Sequence, residues 1–171
     1  MMIFIIGYMA AGKSVFGRQL AIELKYRFLD LDDLIAADCG CSVPDCFIKY
    51  GEPFFRKMER RILLDHLHEN KTVVATGGGA PCHADNMKRM NESGITVFLD
   101  TPLNVIIHRL KADKSSRPLL RDIPGNELPA FIEGHCAERR EFYMQAKNVV
   151  DPMRDDYLKE ILSKLYLILQ G

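Results

Sequence analysis

Residues 7–14 read Gly7-Tyr8-Met9-Ala10-Ala11-Gly12-Lys13-Ser14 and fit the pattern G-x-x-x-x-G-K-[ST]. The chain has only 12 glycines in 171 residues. Its own composition produces such a run by chance in roughly 0.3% of cases. Apolar residues Ile3–Ile6 precede the run as a strand, and helical periodicity opens near Ser14. A strand, a glycine-bearing turn and a helix together make a phosphate cradle. The glycines let backbone N–H groups turn inward around phosphate oxygens, and the helix N-terminus adds partial positive charge. In such a cradle Lys13 reaches the β- and γ-phosphates and the Ser14 hydroxyl ligates Mg²⁺. The bland alternative, a flexible turn beside a surface lysine, explains neither the spacing nor the context.

Outward from this turn, short apolar bursts alternate with amphipathic segments. Candidate strands are Ile3–Ile6, Arg27–Leu31, Thr72–Ala75, Thr96–Leu99 and Asn148–Val150. Candidate helices are Ser14–Tyr26, Pro53–Glu69, Ala84–Glu92, Pro102–Leu110, Leu128–Ala146 and Asp155–Gln170. Strands this apolar are buried on two faces, so the alternation implies a doubly wound parallel α/β sheet flanked by helices. Ligands then gather at the carboxyl ends of the strands. The length suits a single domain over residues 1–171. Lys111–Gly125 carries Lys114, Arg117, Arg121, two prolines and a glycine, and reads as a mobile lid.

Lysine plus arginine and aspartate plus glutamate each number 23, so the net charge is zero. That balance removes the bulk electrostatic argument for a nucleic-acid or anionic-membrane partner. No apolar run is long enough to span a bilayer, and the first residues lack a basic n-region. Five cysteines are an odd number in a chain that needs no staples, which suits free thiols in a reducing cytoplasm. Cys39-Gly40-Cys41 and Cys46 hint at a metal, but no second closely spaced pair accompanies them and the histidines are scattered. Packing is the reading there.

A phosphate cradle names a nucleotide and leaves the acceptor open. Asp30-Leu31-Asp32-Asp33 ends the second strand at the same sheet edge. Asp30 and Asp32 suit a magnesium-bound water and the proton of an attacking hydroxyl, with Asp33 left to cap a helix near Leu34. Arg56, with Glu59 three residues on, is either a surface ion pair or a guanidinium oriented to grip a carboxylate. Arg139 sits in a charge-rich helical turn, ordinarily just solvated. Gly77-Gly78-Gly79 follows a strand, either as a flexible exit or as a place where amides approach a ligand closely. Asp100 reads as a turn residue.

Taken in order, the cradle, Leu29-Asp30-Leu31-Asp32, Gly51-Glu52 with Phe55-Arg56 and Glu59, Gly77-Gly78-Gly79, Arg117-Pro118-Leu119-Leu120 and Arg139 with Tyr143 resemble the shikimate kinase family. The resemblance implies a P-loop fold of the nucleoside-monophosphate-kinase-like type with a five-stranded parallel sheet. It implies transfer of the γ-phosphoryl of ATP to the 3-hydroxyl of shikimate, with Mg²⁺ as cofactor, in aromatic amino-acid biosynthesis. On that likeness Ala10, Ala11, Gly12, Lys13, Ser14 and Val15 hold ATP, with Arg109 near adenine and Arg117 reaching the phosphates from the lid. Lys13, Asp32 and Arg117 carry the catalysis, and Asp30 supports the magnesium water shell. Shikimate is held by Asp32, Arg56, Arg139 and Gly77–Gly79, with Phe47 and Phe55 as an apolar wall, in an acceptor region spanning about residues 32–60. Ala10 stands where the family usually has glycine, Val15 replaces a usual serine or threonine, and Glu141 a frequent proline. Arg154 is the nearest counterpart of a late adenine-contacting basic residue. The expected assembly is a monomer with no nucleic-acid or membrane partner. Competing readings are a kinase of the same scaffold acting on gluconate or a nucleoside monophosphate, and a non-catalytic ATP-binding module.

Overall fold

Strand β1 (Met2–Ile6) is buried along its whole length, which only a central strand covered on both faces allows. A computed structural model describes residues 1–114 and 118–170. The other strands are β2 (Arg27–Asp30), β3 (Thr72–Ala75), β4 (Gly94–Leu99) and β5 (Asn148–Val150). They form one sheet in the order β2-β3-β1-β4-β5, and every pairing is parallel. β1 is fixed in register on both sides, with Phe4 opposite Val74 of β3 and Thr96 of β4.

Alternation along β1 divides the core. Ile3 and Ile5 pack with Phe16 and Leu20 of α1 (Lys13–Leu24) and with Ile161 and Leu165 of α7 (Tyr157–Gln170). Phe4 and Ile6 face the opposite side. There they meet residues of α2 (Leu31–Cys39), α3 (Val43–Asp65), α4 (Asn86–Ser93), α5 (Leu103–Ala112) and α6 (Leu128–Tyr143). Helix α7 therefore turns Ile161 and Leu165 to the core, both fully buried.

Several boundaries differ from the sequence expectation, and those nearest the site do so for local reasons. α2 begins at Leu31 because Asp30 is its N-cap, its side chain accepting from the Asp32 N–H at 3.1 Å. Asp33 is thus not the cap; it lies in the first turn, 3.8 Å from Arg18. α3 begins ten residues before Pro53, at Val43, capped by Ser42 and with Pro44 in its first turn. It is broken at Gly51 (φ 78), just ahead of Pro53. That break swings its first half, with Phe47, over the second half, with Phe55 and Arg56. The expected lid starts later than Lys111, since α5 runs on to Ala112. Its further part forms a 3-10 turn at Pro118–Leu120, with Leu120 fully buried.

Candidate active site

At the carboxyl end of β1 the backbone wraps into a cradle whose shape is visible in its dihedral angles. Ala10 (φ 60) and Gly12 (φ 98) both lie in the left-handed region, and Gly12 forms the N-cap of α1 without any side-chain cap. The N-terminal N–H groups of α1 are thereby left open for an anion. Side chains tie the loop from behind. Lys13 donates to the Tyr8 carbonyl at 2.8 Å, Thr101 to that of Ala11 at 2.9 Å and Arg109 to that of Ala10 at 2.9 Å. The Ser14 hydroxyl donates to Asp30 at 2.6 Å. The cleft in front of the loop measures about 530 Å³, and Ala10 to Val15, Asp30, Asp32 and Arg109 all border it.

Beside it lies a smaller pocket of about 80 Å³, lined by Phe47, Phe55, Arg56, Glu59, Gly77–Gly79 and Arg139 together with Asp32. Arg56 is held from both directions along α3. It donates to Glu52 at 3.1 and 3.2 Å and to Glu59 at 2.7 Å. Its side chain is only 12% exposed and that of Glu59 not at all, so this is a built-in orientation and not a surface pair. Phe47 and Phe55 stack with centroids 4.2 Å apart and stand under the guanidinium. Burial works against the Arg56 charge, yet Glu59 and Glu52 outweigh it and hold the proton more firmly than usual. Burial also pushes the Glu59 carboxyl above its ordinary value, Arg56 countering this only in part and the Asp32 charge adding to it. Glu59 Oε1 has no hydrogen-bond partner among the described residues.

The triple glycine is a matter of close approach. A methyl group on Gly77 would collide with Glu59 Oε1, and one on Gly79 with the Arg56 guanidinium. Gly78 is steered by Tyr143 at the end of α6, whose hydroxyl donates to its carbonyl at 2.6 Å. Burial raises the Tyr143 phenol well above its ordinary range, and the neighbouring Arg139 only partly offsets that. The two arginines of α6 part company here. Arg139 borders the pocket with its guanidinium 5.8 Å from the Tyr8 ring, whereas Arg140 grips Asp100 in a two-bond fork at 2.6 and 2.7 Å.

Almost all the residues singled out in the sequence therefore converge. Arg117 lies outside the described residues. Arg154 is turned away from the cleft and pairs with Asp156 and Glu160; Pro152, Met153 and Tyr157 border that side instead. Sequence reading missed Met9, which borders both cavities, and Leu119, which closes the smaller one. It also missed the bracing role of Thr101. Met9 lies inside the recognised motif at a position open to any residue, and Thr101 carries no pattern at all.

A P-loop cleft opening onto a small carboxylate-lined pocket with two arginines defines a kinase of a small anionic acceptor. Comparison with known proteins narrows that class. A profile of the shikimate kinase family matches residues 9–170. The shikimate kinase of Phocaeicola vulgatus is 42% identical over 147 residues, covering 86% of this chain and 84% of the relative. The crystal structure of the shikimate kinase from Bacteroides thetaiotaomicron superposes with a TM-score of 0.85 at 35% identity, covering 99% of this chain and 98% of that one. The Acinetobacter baumannii enzyme in complex with shikimate gives 0.87 at 32% identity, covering 99% and 93%. The chain belongs to the shikimate kinase family, and it is an ATP-dependent kinase with the P-loop fold.

Proposed function

We infer that the protein transfers the γ-phosphoryl group of ATP to the 3-hydroxyl of shikimate, giving shikimate 3-phosphate and ADP. The observation that carries this is the shared wall: the nucleotide cleft and the arginine pocket have Asp32, Met9 and Gly78 in common. Phosphoryl transfer needs donor and acceptor in line with nothing between them. Lys13 supplies positive charge to the phosphates, and Asp32 receives or aims the hydroxyl proton from the opposite side. Arg56 and Arg139 clamp the acceptor carboxylate, with Gly77–Gly79 approaching the ring hydroxyls and Phe47 and Phe55 covering its apolar face. Glu52 and Glu59 already pair with Arg56, so a neutral polyol forgoes chiefly the charge-assisted contact with Arg139, which gives discrimination as well as affinity.

The Ser14 hydroxyl and Asp30 carboxylate, 2.6 Å apart at the cleft floor, are hard oxygen donors of the kind Mg²⁺ takes alongside nucleotide phosphates. Ser14 would hold the ion directly and Asp30 through water, and the ion would supply positive charge against the charge that develops during transfer. The Val15 side chain borders the cleft but has no donor atom to offer the ion. Arg117 enters the assignment on its motif alone, as a further cation brought by the lid that follows α5. The same reading has the chain acting as a cytoplasmic monomer, a setting its five free thiols suit. No described helix is long and apolar enough to cross a membrane.

A coupled ADP-release assay across shikimate, gluconate and nucleoside monophosphates tests the reading. Shikimate-dependent ADP release is expected, with Asp32→Asn losing kcat and Arg139→Ala raising the shikimate KM by about 10–100-fold. ATP binding without acceptor-dependent turnover, or a preference for a non-acidic acceptor, would overturn it.

A further inference from the structure

Three of the five cysteines gather where α2 gives way to α3, a corner the transfer chemistry leaves unused. Cys39 is the last residue of α2, and Gly40 follows in the left-handed region at φ 69. A Cβ at Gly40 would meet nothing within 4 Å, so the glycine is there for its backbone. Its left-handed turn brings Cys41 back beside Cys39, and the two Sγ atoms lie 3.4 Å apart. A disulfide spans about 2.05 Å, so closure asks for side-chain adjustment of little more than an ångström. Both thiols are half-buried. Cys39 also borders a surface hollow of about 460 Å³ with Tyr50, Phe54 and Lys57, which gives a small reagent access. Cys46, in the first turn of α3, is fully buried and acts on the Cys39 thiol from inside, raising its pKa. Among the described residues no group of three cysteine, histidine or acidic side chains can hold a metal ion, so a metal does not account for the trio.

We propose that Cys39 and Cys41 are a redox-responsive dithiol, which a low-molecular-weight disulfide oxidises to an intrachain bond at the joint between the helices carrying Asp32 and Arg56. The Cys39 thiolate, which borders the hollow, attacks one sulfur of the reagent, forming a mixed disulfide and expelling one reagent thiolate. The Cys41 thiolate then attacks Cys39 Sγ and expels the second. Two protein thiols are oxidised, one reagent disulfide is reduced to two thiols, and the two cysteine protons pass through solvent to the departing thiolates. Hydrogen bonding, with Cys46 for Cys39 and with Cys39 for Cys41, holds both thiols above their ordinary 9.0. Little thiolate is present near neutral pH, so exchange is slow there and faster in mild alkali. Residues 40–42 join α2, with Asp32, to α3, with Phe47, Phe55 and Arg56. A bond fixed there acts on the acceptor pocket and leaves the phosphate cradle alone.

The test treats reduced full-length protein with oxidised glutathione at mildly alkaline pH, alkylates the remaining thiols and cleaves before aspartate. That cleavage isolates residues 38–44, which hold Cys39 and Cys41 without Cys46. Expected is loss of two hydrogens from this peptide before Cys82 or Cys136 reacts, as burial pushes each of those thiols up to about 11. In Cys39→Ser and Cys41→Ser the remaining thiol should keep its glutathione, with the mixed disulfide accumulating about tenfold over the parent chain. The closed form should show a shikimate KM raised about fivefold, an unchanged ATP KM, and recovery with dithiothreitol. A cross-link to Cys46, a lasting glutathione adduct in the parent chain, or earlier oxidation of Cys82 or Cys136 overturns the pairing. A closed bond with an unchanged shikimate KM overturns the link to the acceptor pocket. The mass readout needs no turnover, so its failure is distinct from failure of the kinase reading.

Discussion

The phosphate cradle and the acceptor pocket share a wall, yet they are built by opposite means. The cradle is a shape of the main chain: left-handed turns at Ala10 and Gly12, braced by Lys13, Thr101 and Arg109 donating into the carbonyls of Tyr8, Ala11 and Ala10. The pocket is a shape of side chains. Glu52, Arg56 and Glu59 hold one another within α3, and Tyr143 reaches from α6 to the Gly78 carbonyl across 65 positions of sequence. A main-chain shape restricts residue types within one short window, so it can be read as a motif. A side-chain network borrows from distant segments, and each member alone looks ordinary.

The separation can be broken most directly at Lys13. Lys13→Ala should lower kcat by about 10²–10³-fold, the usual result of removing a cation aimed at developing charge. Shikimate affinity and unfolding midpoint should stay near the parent values, since the cradle keeps its other braces. Stopped-flow turnover with a parallel shikimate titration checks this; a matching fall in shikimate affinity would mean that the two regions are one unit.

Glu59 tests the pocket from the other side. Its buried carboxylate neutralises a guanidinium that is itself largely out of water. Glu59→Ala should cost about 3 kcal/mol in denaturant unfolding, the scale of an orphaned buried charge, and raise the shikimate KM while sparing the ATP KM. Glu59→Gln, which keeps an acceptor oxygen of the same reach, should lose less of each. Equal losses in the two variants would show that shape, and not charge, holds Arg56.

How far the sequence could be read follows the same division. The five strands and the cradle were legible because apolar runs buried on two faces and a glycine-spaced loop leave local patterns. Asp30 as cap was not, since three aspartates in four positions compete for one helix boundary and only the coordinates show Asp30 accepting from the Asp32 N–H. The first half of α3 was hidden behind Gly51 and Pro53, which punctuate like a loop; the helix does break at Gly51 but resumes at once, so no loop separates the halves. Arg154 was the nearest counterpart of an adenine-contacting residue in sequence, yet Asp156, two residues on, and Glu160, six residues on, pair with it. The convergence of Arg56, Glu59 and Arg139 on one pocket was legible only through resemblance, because nothing local in three helical turns says that they face each other.

A smaller effect probes the contact between the regions. Tyr143→Phe removes the hydroxyl that fixes the Gly78 carbonyl and leaves the ring against Phe98, 5.1 Å between centroids. The loss should be about 1 kcal/mol of stability, with a few-fold rise in shikimate KM and no change in ATP KM. Tyr143 acts through Gly78, so this KM split is what distinguishes positioning from mere support. A fall in stability alone would leave it as packing.

The smallest expected effect lies in the cradle itself. Ala10 sits at φ 60, a conformation that costs an L-residue with a Cβ about 1 kcal/mol. Glycine pays nothing there but loses more freedom on folding, about 0.5–1 kcal/mol, and the Ala10 methyl also packs partly against the core. Ala10→Gly should therefore change stability by less than about 1 kcal/mol, because relief of strain and loss of packing and entropy oppose each other. Arg109 still finds the carbonyl of residue 10, so kcat should stay within about twofold. If the main chain alone shapes the cradle, the exchange is nearly silent. A drop of several kcal/mol, or a collapse of kcat, would show that this loop, like the pocket beside it, depends on a side chain.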